Sequence, residues 1–337
     1  MTDNRIWWID DRPEREQNAD DIEDESESIT VEFNVSDNAT TRIGDGNIPD
    51  VDLVLIDWVL DDDHDVISRG ISMEGILREH LPETPIYGFS GEKTEELEEA
   101  QNERRFEAVF DLREIISGEG IRRLESDIRD YDRLESIRGE GFESLRGTMD
   151  PPAEAEEQLK SIIPREFSEG LKQKSGTAGG SKIEFSHWVR KRFLHTPGPL
   201  WDNQWLATKL GVSTDTLDNL IPRLHESDRN IEYDGIFAHR VDDRWWSGEI
   251  IGAVVELADG SVGDIQQEAP QLVPEEHREI ATCRYCEEEY PDTVAAIKEG
   301  DNAEHPVHFR CSNVHHSREG PFEDYRVAKK LTDTNGD

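Results

Sequence analysis

The sequence predicts an α/β protein. Its core is a doubly wound, parallel, five-stranded sheet, followed by a small, mainly helical domain and a small cysteine-rich module. Three observations predict this. Short apolar runs of β character alternate with helix-patterned stretches through residues 5–138, and such alternation builds a parallel sheet covered on both faces. A helix, Gly-centred turn and helix pattern occupies Trp205–Leu224. All three cysteines of the chain fall within the 29 residues from Cys283 to Cys311.

Taken in order, Arg5–Asp10 (RIWWID) is an apolar run closing in acid, the first strand. Pro13–Ser28 is a solvated helix or loop, with six acids and no base from Asp20 to Glu27. Ile29–Val35 alternates as a strand does. Val51–Asp57 is continuously apolar, like a strand buried on both faces. Gly70–His80 carries Ile71, Gly75, Ile76 and Leu77 at helical spacing. Thr84–Ser90 reads as a strand bounded by Pro85 and Gly91, Glu92–Arg105 as a charged helix, Phe106–Leu112 as the last strand and Ile115–Arg138 as a helix. Together, residues 1–138 form the first domain.

Residues 139–181 read as a weaker helix containing Pro151-Pro152 and a flexible linker, GLKQKSGTAGG at Gly170–Gly180. Residues 182–257 form the second domain, with helices at His187–Phe193, Asp202–Leu210 and Thr214–Leu224. Its expected hairpin pairs Tyr233–Phe237 with Arg244–Ile250. Ala258–Pro274 is turn-rich and acidic, 275–318 hold the cysteine module, and 319–337 are a polar tail. No internal repeat is visible.

The chain has 337 residues, 37 of them basic and 77 acidic, for a formal net charge of −40. That balance excludes a globally basic nucleic-acid coat and a polybasic membrane anchor. No apolar run approaches the ~18 residues of a transmembrane helix, so no membrane association is expected. The polar start lacks the cationic and apolar segments of a signal peptide. Three cysteines cannot make a disulfide framework, and a cytoplasmic location is expected. Acidity with 34% hydrophobic content invites a reading of disorder. Eight tryptophans and the apolar β-runs need a core, however. A coat of Asp and Glu with few Lys is the composition of salt-loving microbes, where molar salt screens self-repulsion to within about 3 Å.

Asp10 and Asp11 close the first predicted strand, Asp57 the third and Ser90 the fourth. Ligands of a doubly wound sheet sit outside the carboxyl ends of the strands, so these residues are expected to meet at one crevice. Three crowded carboxylates repel, and a divalent cation with oxygen ligands, Mg²⁺, relieves the repulsion. Asp57 could then attack a phosphoryl donor, with the cation offsetting charge on the transferring group and Ser90 bonding a phosphoryl oxygen.

On these residues, 5 to about 135 resemble the receiver domain of two-component response regulators. The resemblance implies Asp10 and Asp11 as the acidic pair, Asp57 as phospho-acceptor, Ser90 as switch hydroxyl, Phe110 as aromatic switch and a histidine kinase as donor. It also implies a Lys after the fifth strand, where this chain reads Val109-Phe110-Asp111-Leu112-Arg113-Glu114. Arg113 is the nearest cation and the expected stand-in, although a guanidinium is wider, planar and always charged. Trp58–Arg69 is a second departure, being long and acidic.

In Trp205–Leu224, Leu206, Ala207 and Leu210 share a helical face, Gly211 makes the turn and Val212 plugs it. Ser213 or Thr214 caps the next helix, whose Leu217, Leu220 and Ile221 face inward. This is a helix-turn-helix pattern, and the expected hairpin makes it winged-helix-like. The second helix would enter the major groove of double-stranded DNA, with contacts from Arg190, Lys191, Arg192, Asn219 and Arg223. Six bases against four acids in Ser181–Leu224 reverse the overall charge. Asp215 and Asp218 on that helix repel phosphate and point instead to a protein partner. Tyr233, Trp245 and Trp246 are read as core rather than a stacking platform.

Cys283-x-x-Cys286 followed by His308-x-x-Cys311 supplies a closed Cys₃His site for Zn²⁺, whose binding would fold so small a unit. The spacing resembles treble-clef or zinc-ribbon modules. His305, His315 and His316 rival His308 as fourth ligand. A closed site is structural. With no Ser-His-Asp order, P-loop or dinucleotide fingerprint, no enzyme is expected. The sequence therefore reads as a response-regulator-like signalling protein. Phosphorylation of Asp57 shifts its conformational population, and the winged helix regulates transcription or the receiver helices pair into a homodimer. The alternative is a degenerate receiver with a protein-interaction module, acting as adaptor or scaffold in a stress or defence complex.

Overall fold

The computed structural model describes residues 4–58, 60, 70–91, 106–173, 179–258, 263–294 and 305–312. The expected helix at Glu92–Arg105, nearly all of the acidic segment 59–69, and the tail with His315 and His316 lie outside the described residues. The chain divides into two units. One comprises Met1–Thr148 with Pro164–Arg190, the other Met149–Ile163 with Lys191–Asp337.

The first unit runs β1 (Asn4–Asp10), α1 (Glu16–Glu25), β2 (Ile29–Val35), α2 (Ser36–Gly44), β3 (Leu53–Asp57), α3 (Gly70–His80), β4 (Ile86–Ser90), β5 (Ala108–Asp111), α4 (Leu112–Ile115), α5 (Gly118–Ser136) and α6 (Phe142–Gly147). The five strands lie in the order β2-β1-β3-β4-β5, and every pairing is parallel. Side chains alternate between the faces. Trp7, Ile9, Val54, Ile56 and Ile86 pack with Ala39 and Ile43 of α2 and Met73 and Leu77 of α3 on one face. On the other, Tyr87 Oη donates to Asp127 of α5 at 2.8 Å, and Trp8 meets Phe89 edge-on, 5.0 Å between ring centroids. Both faces of the central strands are dry, which is why β1 and β3 read as continuous apolar runs.

Helix α2 is not foreseen by the sequence. SDNATTRIG is poor in helix formers, and only Ala39 and Ile43, one turn apart, mark a buried face. Packing against the sheet, not propensity, makes this helix.

The two-unit division departs from the expected domain start at residue 182. Helix α8 (Lys182–Trp188) continues as a π-helical turn, Val189–Phe193, and its residues up to Arg190 belong to the first unit. Polar burial holds it there. Glu107, 1% exposed, accepts from Arg78 Nη2 at 2.8 and 3.1 Å and from the Ile86 N–H. His187 Nε2 of α8 stands 3.4 Å from the same carboxylate. Arg190 donates to Tyr131 Oη at 3.3 Å and lies 5.7 Å above the Tyr87 ring centroid. The expected flexible linker is anchored at its ends. The Gly139 N–H donates to the Leu171 carbonyl at 3.0 Å, and Leu171 bridges to Gly180.

The second unit contains α7 (Glu156–Ile162), β6 (Leu200–Trp201), α9 (Asn203–Lys209), α10 (Leu217–Leu224), β7 (Trp245–Trp246), α11 (Ser247–Leu257), α12 (Ile265–Glu268), β8 (Thr293–Val294) and β9 (Pro306–Val307). Of the expected hairpin only a short antiparallel contact is present: the Tyr233 N–H donates to the Arg244 carbonyl at 2.9 Å and the Trp246 N–H to the Ile231 carbonyl at 2.8 Å. β7 pairs antiparallel with β6, and Glu232 makes a single bridge to Trp245. Ser247–Leu257 is a helix because Ile250, Ala253 and Val254 fall on one buried helical face. The turn between α9 and α10 is as the sequence reads. Gly211 has φ +72°, and a Cβ there would lie 2.5 Å from the Gln266 carbonyl, so only glycine fits. Leu206, Leu210, Leu217, Leu220 and Trp245 form its core, and Tyr233 and Trp246 are buried too. Among the described residues no helix is long and apolar enough to cross a membrane.

Candidate functional site: an acidic pocket and a thiol cluster

Parallel strands in register bring their carboxyl ends to one edge. Ile9 pairs with Ile56, Asp57 with Phe89 and Ser90 with Asp111. Asp10, Asp11 and Asp57 therefore meet, with ligand oxygens all within 4.8 Å of one another. Asp10 is fully buried, Asp57 2% exposed and Ser90 buried beside them at the end of β4. Helix α3 starts against the end of β3: a Cβ on Gly70 would lie 2.3 Å from the Asp57 carbonyl oxygen.

Asp10 is held from three sides. Trp8 Nε1 donates to Oδ2 at 3.2 Å, the Arg12 N–H to Oδ1 at 3.0 Å, and Arg15 Nη1 to both oxygens at 3.2 and 2.9 Å. The same Arg15 nitrogen donates to Asp57 Oδ2. Burial opposes the charge on Arg15, but Asp10 and Asp57 outweigh it and keep the guanidinium protonated. Burial pushes the Asp11 carboxyl up, and neighbouring Asp10 adds to the effect. Asp11 Oδ1 is buried without a hydrogen-bond partner among the described residues, and Arg12 Nε is 3.9 Å away. Three oxygens from three carboxylates, one of them orphaned, suit a hard divalent cation such as Mg²⁺.

Arg113 does not take the expected place. It is exposed, and its backbone N–H donates to Asp111 Oδ1 at 2.8 Å to cap α4. Strand β5 thus ends in a capping acid, and the guanidinium at the carboxylates is Arg15's. Sequence reasoning missed Arg15 because nothing local shows where a long side chain at the start of a helix points. Its one signal was Pro13, which opens a helical turn immediately after the acidic pair. Phe110 is buried, 5.7 Å from Tyr87 between ring centroids.

The second cluster gathers Cys283, Cys286, His308 and Cys311, whose ligand atoms also lie within 4.8 Å of one another. Cys286 Sγ is 3.3 Å from His308 Nδ1, and the His308 N–H donates to Cys283 Sγ at 3.3 Å. Burial pushes the Cys283 thiol up, yet the N–H groups of Cys286, His308 and Tyr285 prevail and hold it down to about 6. Burial and the neighbouring sulfurs raise Cys311. Three crowded sulfurs and an imidazole match tetrahedral Zn²⁺. His305 is described and is not one of the four.

Of the residues assigned to nucleic acid, Arg190 is buried in the first unit and unavailable to phosphate. This corrects that expectation: its charge is committed to Tyr131 and the Tyr87 ring. Arg192 and Arg223 are exposed, Lys191 and Asn219 partly so, and Arg223 pairs with Glu226. Asp215, Asn219, Glu276, His277, Arg278 and Glu279 line one recess, with Ser213 Oγ donating to Glu279 Oε2 at 3.0 Å. Helix α10 itself carries one exposed acid, Asp218, and one exposed base, Arg223.

No family model matches the chain, and no curated protein does. Solved structures do. One is the signal receiver domain of an HD-domain-containing protein from Pseudomonas fluorescens, 18% identical, covering 32% of this chain and 80% of that one, with a TM-score of 0.26. Another is a CheY-like response regulator receiver domain protein from Methanospirillum hungatei, 15% identical over 39% of this chain and 98% of that one, TM-score 0.30. A third, a response regulator receiver domain protein from Clostridium thermocellum, is 19% identical over 36% and 97%, TM-score 0.28. The architecture of the first unit rests on its own strand order and register.

Proposed function

We propose that this chain is a response-regulator-like signalling protein in which Asp57 accepts a phosphoryl group from a histidine kinase. The observation that carries the reading is the meeting of Asp10, Asp11 and Asp57 within 4.8 Å at the carboxyl ends of adjacent strands. Asp10, Asp11 and Asp57 would hold Mg²⁺, which when bound supplies positive charge against the carboxylates and the transferring group. An Asp57 oxygen attacks the phosphorus of a phosphohistidine. The P–N bond breaks, its electron pair leaves on the imidazole, and Asp57 retains an acyl phosphate. Ser90, one strand over, donates its hydroxyl to a phosphoryl oxygen. The changed contacts then bias the conformational population of the unit. Zn²⁺ at Cys283, Cys286, His308 and Cys311 would be structural. An acid-rich exterior suits a salt-rich cytoplasm.

For the output, two observations favour a protein partner over duplex DNA. Arg190 is committed internally, and Asp215 in the turn before α10 and Asp218 within it are exposed, where they repel phosphate. The second unit is accordingly an adaptor surface. The competing reading, a winged-helix-like regulator of transcription, requires salt-dependent duplex binding that is lost when Lys191 and Arg192 become Glu.

The acceptor reading is tested by incubating the full chain with Mg²⁺ and a small phosphodonor and weighing it. One added phosphoryl group, absent from Asp57→Ala, is expected. No gain, under conditions that label a control receiver, leaves only the scaffold.

A further inference from the structure

The acidic pocket already contains a cation, and it comes from the chain. Arg15 lies in the helical turn that follows β1 and is only 8% exposed. One nitrogen, Nη1, serves both Asp10 oxygens and Asp57 Oδ2, so it stands between the ends of β1 and β3. The other, Nη2, faces the end of β4, since a Cβ on Gly91 would lie 3.4 Å from it. Two consequences follow. The Asp10 and Asp57 carboxylates that accept from Arg15 are two of the three that would hold a divalent ion. Asp57, 2% exposed beneath this guanidinium, cannot meet a phosphoryl donor while Arg15 stays.

We infer that Arg15 is the resident cation and the gate of the pocket: it competes with a divalent ion for Asp10 and Asp57, and it must swing out before Asp57 is reached. This rests on the reading of the pocket as a phospho-acceptor site. It assigns Arg15 a role opposite to that of a cation helping to hold the metal, because a competitor weakens metal binding and a helper strengthens it. The Arg12 side chain, on Asp11 at 3.9 Å, is exposed at the rim, and Arg12 reaches Asp10 through its backbone N–H.

The test is calorimetric titration of Mg²⁺ into the full chain. A hard cation of this kind avoids the thiol cluster. Wild type, Arg15→Gln and Arg15→Lys are compared. Charge-assisted bonds to two carboxylates are displaced in wild type, so Arg15→Gln is expected to bind Mg²⁺ about ten- to a hundredfold more tightly, with Arg15→Lys between. Mg²⁺ should also raise the melting temperature of Arg15→Gln far more than that of wild type. Where Arg15→Gln folds only with Mg²⁺ present, that dependence is itself the expected result. Where it does not fold at all, Arg15→Lys decides, a tightening over wild type being the supporting outcome. Equal or weaker Mg²⁺ binding in the variants overturns the gate, whatever the labelling shows. Tighter Mg²⁺ binding with no phosphoryl gain in any variant overturns the acceptor reading, and with it the gating of Asp57, and leaves standing only the competition of Arg15 with the ion.

Discussion

Glu107→Gln is expected to destabilise the first unit by about 3 kcal/mol. Breaking a buried ion pair typically costs about 3–5 kcal/mol, because the partner charge stays behind. Glu107 is 1% exposed and holds Arg78 through both oxygens at 2.8 and 3.1 Å, with His187 at 3.4 Å and the Ile86 N–H. The low end applies because Arg78 keeps Glu74 at 3.2 Å and the Thr84 carbonyl at 2.9 Å. For a unit of this size the melting temperature should fall by about 6–12 °C. Tryptophan fluorescence reports it, since Trp7 and Trp8 are fully buried in the sheet. The effect has a pH signature. Burial raises the Glu107 carboxyl, but the His187 ring 3.4 Å away, the Arg78 charge and the Ile86 N–H outweigh it and hold it below the ordinary 4.5. A depressed folded value means that this stabilisation is complete above about pH 4.5 and is lost as pH falls below it. Wild type should therefore lose stability more steeply than Glu107→Gln on acidification. A destabilisation under ~1 kcal/mol, the scale of a surface ion pair, with parallel acid profiles would refute the buried-network account.

Three further outcomes are expected. Wild type should carry one equivalent of zinc by elemental mass spectrometry and Cys286→Ser should lose it, and a strong chelator should unfold the cysteine module of wild type. Gly211→Ala should cost the second unit about 1–3 kcal/mol in urea unfolding, because its φ is +72° and its Cβ would meet the Gln266 carbonyl. The first unit's transition should not move. Arg190→Ala should lower first-unit stability by about 1–3 kcal/mol while leaving any duplex binding, read by anisotropy, unchanged.

What is local was legible in the residues alone. Apolar runs of strand length placed the sheet, and acids at the ends of RIWWID and VDLVLID placed Asp10 and Asp57. Register did the rest, since parallel strands bring such ends to one edge. Cysteine spacing named the four zinc candidates, and Gly211 named the turn. Tertiary structure alone decided four things. SDNATTRIG became a helix only through contacts of Ala39 and Ile43. SGEIIGAVVEL, rich in β-branched residues, became a helix because Ile250, Ala253 and Val254 fall on one buried helical face. Residues 182–190 joined the first unit because Glu107 and Tyr131 offered partners to His187 and Arg190. Arg15, not Arg113, reached the acids. The physical reason is shared. Backbone periodicity is written in neighbours along the chain, whereas a long charged side chain goes wherever burial leaves an opposite charge to meet it, and that partner is remote in sequence.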